Sequence, residues 1–312
     1  MWVFLSYIFT ATIRLGTPIA LTAVGACYGQ RTGVNNLGLE GFMTMGAFLA
    51  VTGSYLTGNP WTGVLFACVA GAFMAVIHGF VTITCGGKMA VSSQALVLLS
   101  TGIASVGLLA VFGTMGYSAQ VASITKTPVL ANIPVVGEFL SGFSPLVYLA
   151  VVIVILLNYV LYKTPVGLQM QACGEHPRAA DTAGIRVNLM RYIGVIISGI
   201  LGGLGGAMLS IGSMNLFQEG MISGRGYLAL GAVTLGGFSL KGAFFASILF
   251  GFFDALQLYV QTLPSFPIPS QFIQMLPYAA SLIILIIGSS PKRRNKAPAA
   301  IGQAYSFVSG TR

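Results

Sequence analysis

Residues 163–191 read KTPVGLQMQACGEHPRAADTAGIRVNLMR, a polar stretch set between two long apolar ones. The chain carries 15 basic and 6 acidic residues, and six of these 21 fall here: Lys163, Glu175, Arg178, Asp181, Arg186 and Arg191. Within it, residues 174–184 (GEHPRAADTAG) have the punctuation of a very short helix. Pro177 suits the first helical position, where a missing N–H costs nothing, and Gly184 suits the C-terminal cap. Glu175 at the positive end complements the helix dipole. Ala179, Ala180 and Ala183 are expected to form a small-residue side that enters a narrow cleft. A two-turn helix is marginal alone and needs docking to be ordered. An ordinary solvated connection between two apolar segments is the alternative.

Outward from this island the chain is apolar. Of its 312 residues 55% are hydrophobic and only 7% charged, with mean hydropathy +0.87. A soluble domain carries about 25% charged residues, so this one cannot cover a globular surface. Its apolar runs are continuous and ~20 residues long, which excludes the short alternating segments of a membrane barrel. The fold class is therefore an all-α polytopic membrane protein, and the 41 glycines suit helices packed closely in lipid.

Nine spans are expected, with a range of eight to ten: 8–27, 37–57, 63–84, 92–112, 146–162, 192–211, 227–238, 243–261 and 275–288. Pro18 stands inside the first, and an interfacial helix followed by a short span is the other reading there. Residues 30–36 (QRTGVNN) read as a turn-rich loop, 113–145 as a long loop with Lys126 and Glu138, and 263–269 as a proline-rich loop. Residues 1–288 form the membrane domain, with 163–191 as its polar loop, and 289–312 a cytoplasmic tail.

The net charge of +9 does not imply nucleic acid. Lys292, Arg293, Arg294 and Lys296 follow an apolar segment directly, a positive-inside anchor that puts the tail in the cytoplasm. Four spans back, the island lies in the cytoplasm too, in agreement with its own basic excess, and nine spans leave the N-terminus outside. No charged n-region precedes the first apolar stretch, so no signal peptide is expected, and Val24-Gly25-Ala26-Cys27 is a chance likeness to a lipoprotein site. Cys27, Cys68, Cys85 and Cys173 are too dispersed for a metal or redox motif.

Residues 38–47 (GLEGFMTMGA) echo residues 223–232 (SGRGYLALGA), with Gly41 against Gly226 and Glu40 against Arg225. The two segments cross in opposite directions in this topology, so an inverted repeat is expected, with a pathway at its interface; chance recurrence of small residues is the alternative. On that reading Glu40 and Arg225 lie near opposite faces and do not pair. Charged groups are expensive in hydrocarbon, so Glu40, Arg225, His78 and Asp254 each need a partner, an interface or water. Asp254, Gln257 and Gln261 share a helix face, either a polar pathway or a hydrogen-bonded seam.

No Walker A sequence, zinc-protease motif or nucleophile elbow is present, and six scattered acids offer no catalytic cluster. Transport, not catalysis, is expected.

The island resembles the coupling loop of ABC-importer permeases of the branched-chain amino acid, ribose and nucleoside type. That family shows G-E-N-P-x-A-A-x-x-x-G-I, and this chain has Gly174-Glu175-His176-Pro177, Ala179-Ala180 and Gly184-Ile185, with His176 in place of Asn. Residues 31–41 (RTGVNNLGLEG), 220–230 (GMISGRGYLAL), 250–257 (FGFFDALQ), 275–278 (MLPY) and 297–302 (APAAIG) are similar to the nucleoside and simple-sugar branch, although Gln30 stands where an acid is usual.

The resemblance implies a permease subunit in a bacterial inner membrane. ATP and Mg are then held by a separate ABC ATPase docked on residues 174–184, with Gly174, Glu175, Pro177, Arg178, Ala179, Ala180, Asp181, Ala183 and Gly184 at the contact. A binding protein delivers the solute, and a second, different permease completes the pathway. Glu40, Gly41, Arg225, Gly226, Asp254 and Gln257 are its candidate pathway or gating residues. The rival reading is a secondary transporter driven by an ion gradient through Glu40, His78 or Asp254.

Overall fold

The computed structural model describes residues 2–124, 143–262, 272–273, 275–288 and 297–305. The loop about Lys126 and Glu138, the proline-rich loop 263–269 and the basic cluster 292–296 lie outside the described residues. Among those described, the regular structure is helical, with one isolated bridge pairing Tyr117 with Gln218.

Helix α1 is Trp2–Arg31, α2 Leu39–Thr57, α3 Pro60–Gly79 with a π-helical extension Phe80–Thr84, and α4 Met89–Phe112. Helix α5 is Pro145–Lys163, α6 Pro165–Glu175, α7 Pro177–Thr182, and α8 Val187–Leu209 with a π-helical end Ser210–Met214. Helices α9 (Arg225–Leu235), α10 (Leu240–Gln261) and α11 (Leu276–Gly288) complete the order. Starts are fixed locally: Pro60, Pro145 and Pro165 each occupy the first turn, and the side chains of Asn59, Ser144 and Thr164 accept the orphan N–H of Trp61, Leu146 and Gly167. Helix α1 is one helix across Pro18, not an interfacial helix followed by a short span.

Among the described residues, six helices are long and apolar enough to cross a membrane: those containing 7–31, 60–84, 89–112, 145–163, 187–214 and 240–261. The other three expected spans are helical but different in kind. Helix α2 carries Glu40, and α9 and α11 have 11 and 13 residues. Eleven residues rise only about 16 Å, half of the ~30 Å hydrocarbon core.

The body is organised around α8. Its run Gly202-Gly203-Leu204-Gly205-Gly206 meets bare backbone of two helices: Gly203 lies against Ala67 and Gly71 of α3 and Gly46 of α2, and Gly206 against Met43 and Ala47 of α2. A Cβ at Gly199, Gly203 or Gly206 would collide with neighbouring main chain, so no larger residue permits this approach. Helix α1 runs antiparallel to α10, with Tyr7 beside Tyr259, Gly16 against Ile248 and the Cys27 thiol donating to the Phe238 carbonyl at 3.2 Å. In contrast, α4 and α5 turn Val91, Leu98, Val106, Val152, Ile155 and Leu156 outward.

The connection from α1 to α2 is the expected turn-rich loop, with a turn at Thr32 and Gly33, and it is packed into the body. Thr32, Val34 and Asn36 are buried, Leu37 N–H donates to Ser93 Oγ at 3.0 Å, and Gly38 abuts Ser93, already inside α4. The chain thus re-enters the body before α2 begins.

A charged junction at two helix starts and a polar cap at one end

Two places gather the residues singled out from sequence. The first is the point where α2 and α9 begin. One Glu40 oxygen accepts the Gly224 N–H at 2.8 Å, and the other accepts the Gly226 N–H at 2.8 Å. Its carboxylate therefore caps α9, whose first N–H groups would otherwise be orphans among apolar helices. Gly226 packs onto the Glu40 backbone so closely that no Cβ fits between them. The two echoing segments meet here, which corrects the expectation of opposite faces. They diverge in opposite senses: α2 runs on to Thr57, whereas α9 returns towards Phe238, which lies against Cys27 and Arg31 at the far end of α1.

Arg225 pairs with Asp254 rather than with Glu40. Its Nε lies 3.3 Å from Asp254 Oδ2, and Nη1 donates to the carbonyls of Met221 and Ile222 at 3.3 Å each. Asp254 is 7% exposed, a burial that a carboxylate tolerates only with a partner. Beside this pair lies a cavity of about 230 Å³ lined by Ser223, Arg225, Leu228, Asp254, Gln257 and Tyr278. Gln261 faces outward. The stripe from 254 is thus divided, with its inner half facing a small polar cavity. Gly41 stands apart from that cavity, pressed against Leu96 and Ser100 of α4. His78 is wholly buried, with Nδ1 3.0 Å from Ser92 Oγ. Glu40, Asp254 and His78 each have a structural partner.

The second place is the polar island. Thr164 and Pro165 open α6, which spacing alone did not separate from loop, and it ends at Glu175. Pro177 starts α7 as expected. The helix closes at Thr182 with Ala183 as cap, and Gly184 takes the left-handed φ of 84° while its N–H donates to Asp181. Arg178, Ala179, Thr182 and Ala183 face outward. Ala180 does not: it is 4% exposed and packs with Cys173 and Val187, flanked by Ile185 and Tyr305. The three alanines therefore do not share one outward side. Only Ala179 and Ala183 are available to a partner, because a six-residue helix seats its middle on the body. Burial raises the Cys173 thiol above its usual range, with nearby Asp181 in the same direction and Arg191 opposing.

Gly174 is pressed onto Arg31 and Gly33, and Glu175 lies 3.9 Å from the Arg31 guanidinium. This half-exposed pair contributes little by itself. More ordered is the return of the tail. Ala300 N–H donates to the Gly174 carbonyl at 2.9 Å, Ala299 N–H to Glu175 at 3.2 Å, and Gly302 N–H to the Gly33 carbonyl at 3.0 Å. The APAAIG segment therefore forms part of the same cap, a placement the sequence marked only as a likeness.

The family described as branched-chain amino acid transport system / permease component matches residues 8–287. The nucleoside ABC transporter permease protein NupC of Lactococcus lactis subsp. cremoris is 37% identical, over 87% of this chain and 88% of its own. The guanosine ABC transporter permease protein NupQ of Bacillus subtilis is 38% identical, over 96% of this chain and 97% of its own. A putative glucose ABC transporter permease protein, TsgC13, of Haloferax volcanii is 31% identical, over 97% of this chain and 98% of its own.

Proposed function

The chain belongs to the branched-chain amino acid transport system permease family, and from that premise we propose that it is the membrane-spanning permease of an ATP-driven importer of nucleosides. The observation that carries the solute class is the identity of 37% and 38% to permeases named for nucleosides and for guanosine, over nearly the full length of both chains. The 31% likeness to a putative glucose permease keeps a sugar within the same recognition class, since a pentose is part of every nucleoside.

On this reading the end holding α7 is cytoplasmic, and the C-terminus lies on that side. A separate ABC ATPase, which holds ATP and Mg, docks on Arg178, Ala179, Thr182 and Ala183. Gly174, Glu175, Pro177, Asp181 and Gly184 shape that helix rather than touch the partner. An extracytoplasmic binding protein delivers solute at the opposite end, and a second, different permease pairs with this one. The meeting of α2 and α9 start to start, running in opposite senses, supports reading them as equivalent elements of an inverted repeat. Discontinuous helices of this kind surround pathways in transporters. The polar cavity at Arg225, Asp254 and Gln257 is then the part of the pathway that this subunit contributes, and Glu40 with Gly41 and Gly226 holds its wall.

The test is uptake into proteoliposomes holding both permeases and the ATPase, with binding protein added outside. Labelled guanosine or inosine is expected to accumulate only with internal ATP. Uptake by this chain alone under a proton or sodium gradient, with no requirement for ATP, would overturn the reading.

A further inference from the structure

Arg191 is the largest fully buried side chain among the described residues, at 1% exposed, and no carboxylate pairs with it. Burying an uncompensated guanidinium is costly, so what it holds in place matters. Its Nη1 donates to the Gln303 carbonyl at 2.9 Å, and its guanidinium carbon lies 5.8 Å from the centre of the Tyr305 ring. Both partners are in the returning tail. The Tyr305 hydroxyl donates to Asp181 Oδ2 of α7 at 2.9 Å. A continuous line therefore runs from α7 through Asp181 and Tyr305 to Arg191, the fifth residue of the spanning helix α8. Helix α7 also meets α8 directly, where Ala180 packs with Val187, and the connection between the two helices is the short stretch 183–186. A groove of about 500 Å³ remains between α7 and the tail, lined by Pro177, Arg178, Ala179, Gln303 and Tyr305 among others. Beside that short connection, the tail supplies a second link made of a handful of side chains.

We infer that residues 297–305 form a strap that carries movement of α7 into α8, with Tyr305 as the positioning residue between Asp181 and Arg191. This rests on the importer reading above and adds a force path to it. Displacement of α7 by the ATPase pulls on the Tyr305–Arg191 contact. Helix α8 then moves with it, relative to α2 and α3 at its glycine crossings.

The experiment uses the complete transporter in proteoliposomes and reads nucleoside taken up per ATP hydrolysed. Tyr305→Phe removes the hydroxyl and keeps the ring over Arg191; Asp181→Ala removes the acceptor. Each is expected to lower the ratio by about two- to tenfold, the range for losing one hydrogen bond, while the ATPase still co-purifies. The double variant is expected to be no worse than the poorer single one, because both break the same link. Hydrogen exchange of amides 180–185 in the assembled transporter is expected to quicken in Tyr305→Phe.

An unchanged ratio in both single variants overturns the strap. So does an additive double variant, or loss of the ATPase on purification, which would make the segment part of the docking surface instead. Absence of ATP-driven uptake by the unaltered transporter overturns the importer reading itself, a different failure from unchanged coupling in an active one.

Discussion

Glu40 gives the most direct test of how the interior is held together. Its two carboxylate oxygens accept the N–H groups of Gly224 and Gly226, both at 2.8 Å, where the start of α9 is surrounded by other helices. Glu40→Ala leaves both donors without an acceptor. At about 1–3 kcal/mol for each unsatisfied buried group, the gross cost is about 2–6 kcal/mol. In a bilayer the unfolded reference also finds partners, which lowers measured values, so about 2–3 kcal/mol is expected. Glu40→Gln keeps one acceptor oxygen and turns an NH₂ towards the other donor, so it should lose about half as much. Glu40→Asp is too short to reach both. The assay is unfolding of the purified chain in mixed micelles by titration with SDS. A cost below about 0.5 kcal/mol for Glu40→Ala, well short of one unsatisfied donor, would refute this account of the junction.

The remaining expectations concern packing and access. Gly203→Ala puts a methyl into the Ala67 backbone and should cost about 1–3 kcal/mol, whereas Gly102→Ala in α4, where nothing lies within 4 Å, should gain about 0.5–1 kcal/mol in the same titration. Ala180→Arg forces a charge between Cys173 and Val187 and should reduce the yield of folded protein, while Ala179→Arg should leave yield unchanged and weaken ATPase co-purification. Removing the Tyr28 hydroxyl, which donates to the Leu157 carbonyl at 2.5 Å and ties α1 to α5, should cost Tyr28→Phe about 1 kcal/mol in unfolding. A membrane-impermeant maleimide should label exposed Cys85 in inside-out vesicles and not in right-side-out cells, and should leave buried Cys27 and Cys173 unlabelled. The raised thiol pKa of Cys173 slows its reaction further at neutral pH.

Six of the nine expected spans were legible because lipid imposes length and hydropathy on any helix that crosses it, while the other three fall on helices of a different kind. Pro177 and Gly184 were legible for a related reason, since both act through local backbone geometry. What escaped reading is tertiary. The direction in which Ala180 points depends on Cys173 and Val187, and a six-residue helix has too little period to show an inner face. The capping role of Glu40 joins residues 184 and 186 positions apart, and nothing near Glu40 marks its partner. The echo of residues 38–47 in 223–232 was visible, yet an idealised crossing put its halves at opposite faces. A helix of 11 residues cannot cross, so α9 starts in the interior. Helix α6 was hidden because Gln169, Gln171 and two glycines blur its apolar face. The tail's return to Gly33 and Gly174 carried no local signal beyond the likeness of 297–302 to other sequences.

The glycine crossings of α8 have a kinetic side as well. Where side chains interdigitate, one helix slides past another only if knobs leave their holes and rotamers change together. At Gly199, Gly203 and Gly206 the facing surfaces are smooth main chain, with Gly71 and Gly46 opposite. Such a surface resists separation through close dispersion contact, yet offers little to catch on along its length. The crossings therefore behave as a bearing: tight across the gap, low in friction along it, and spoiled by a single methyl group.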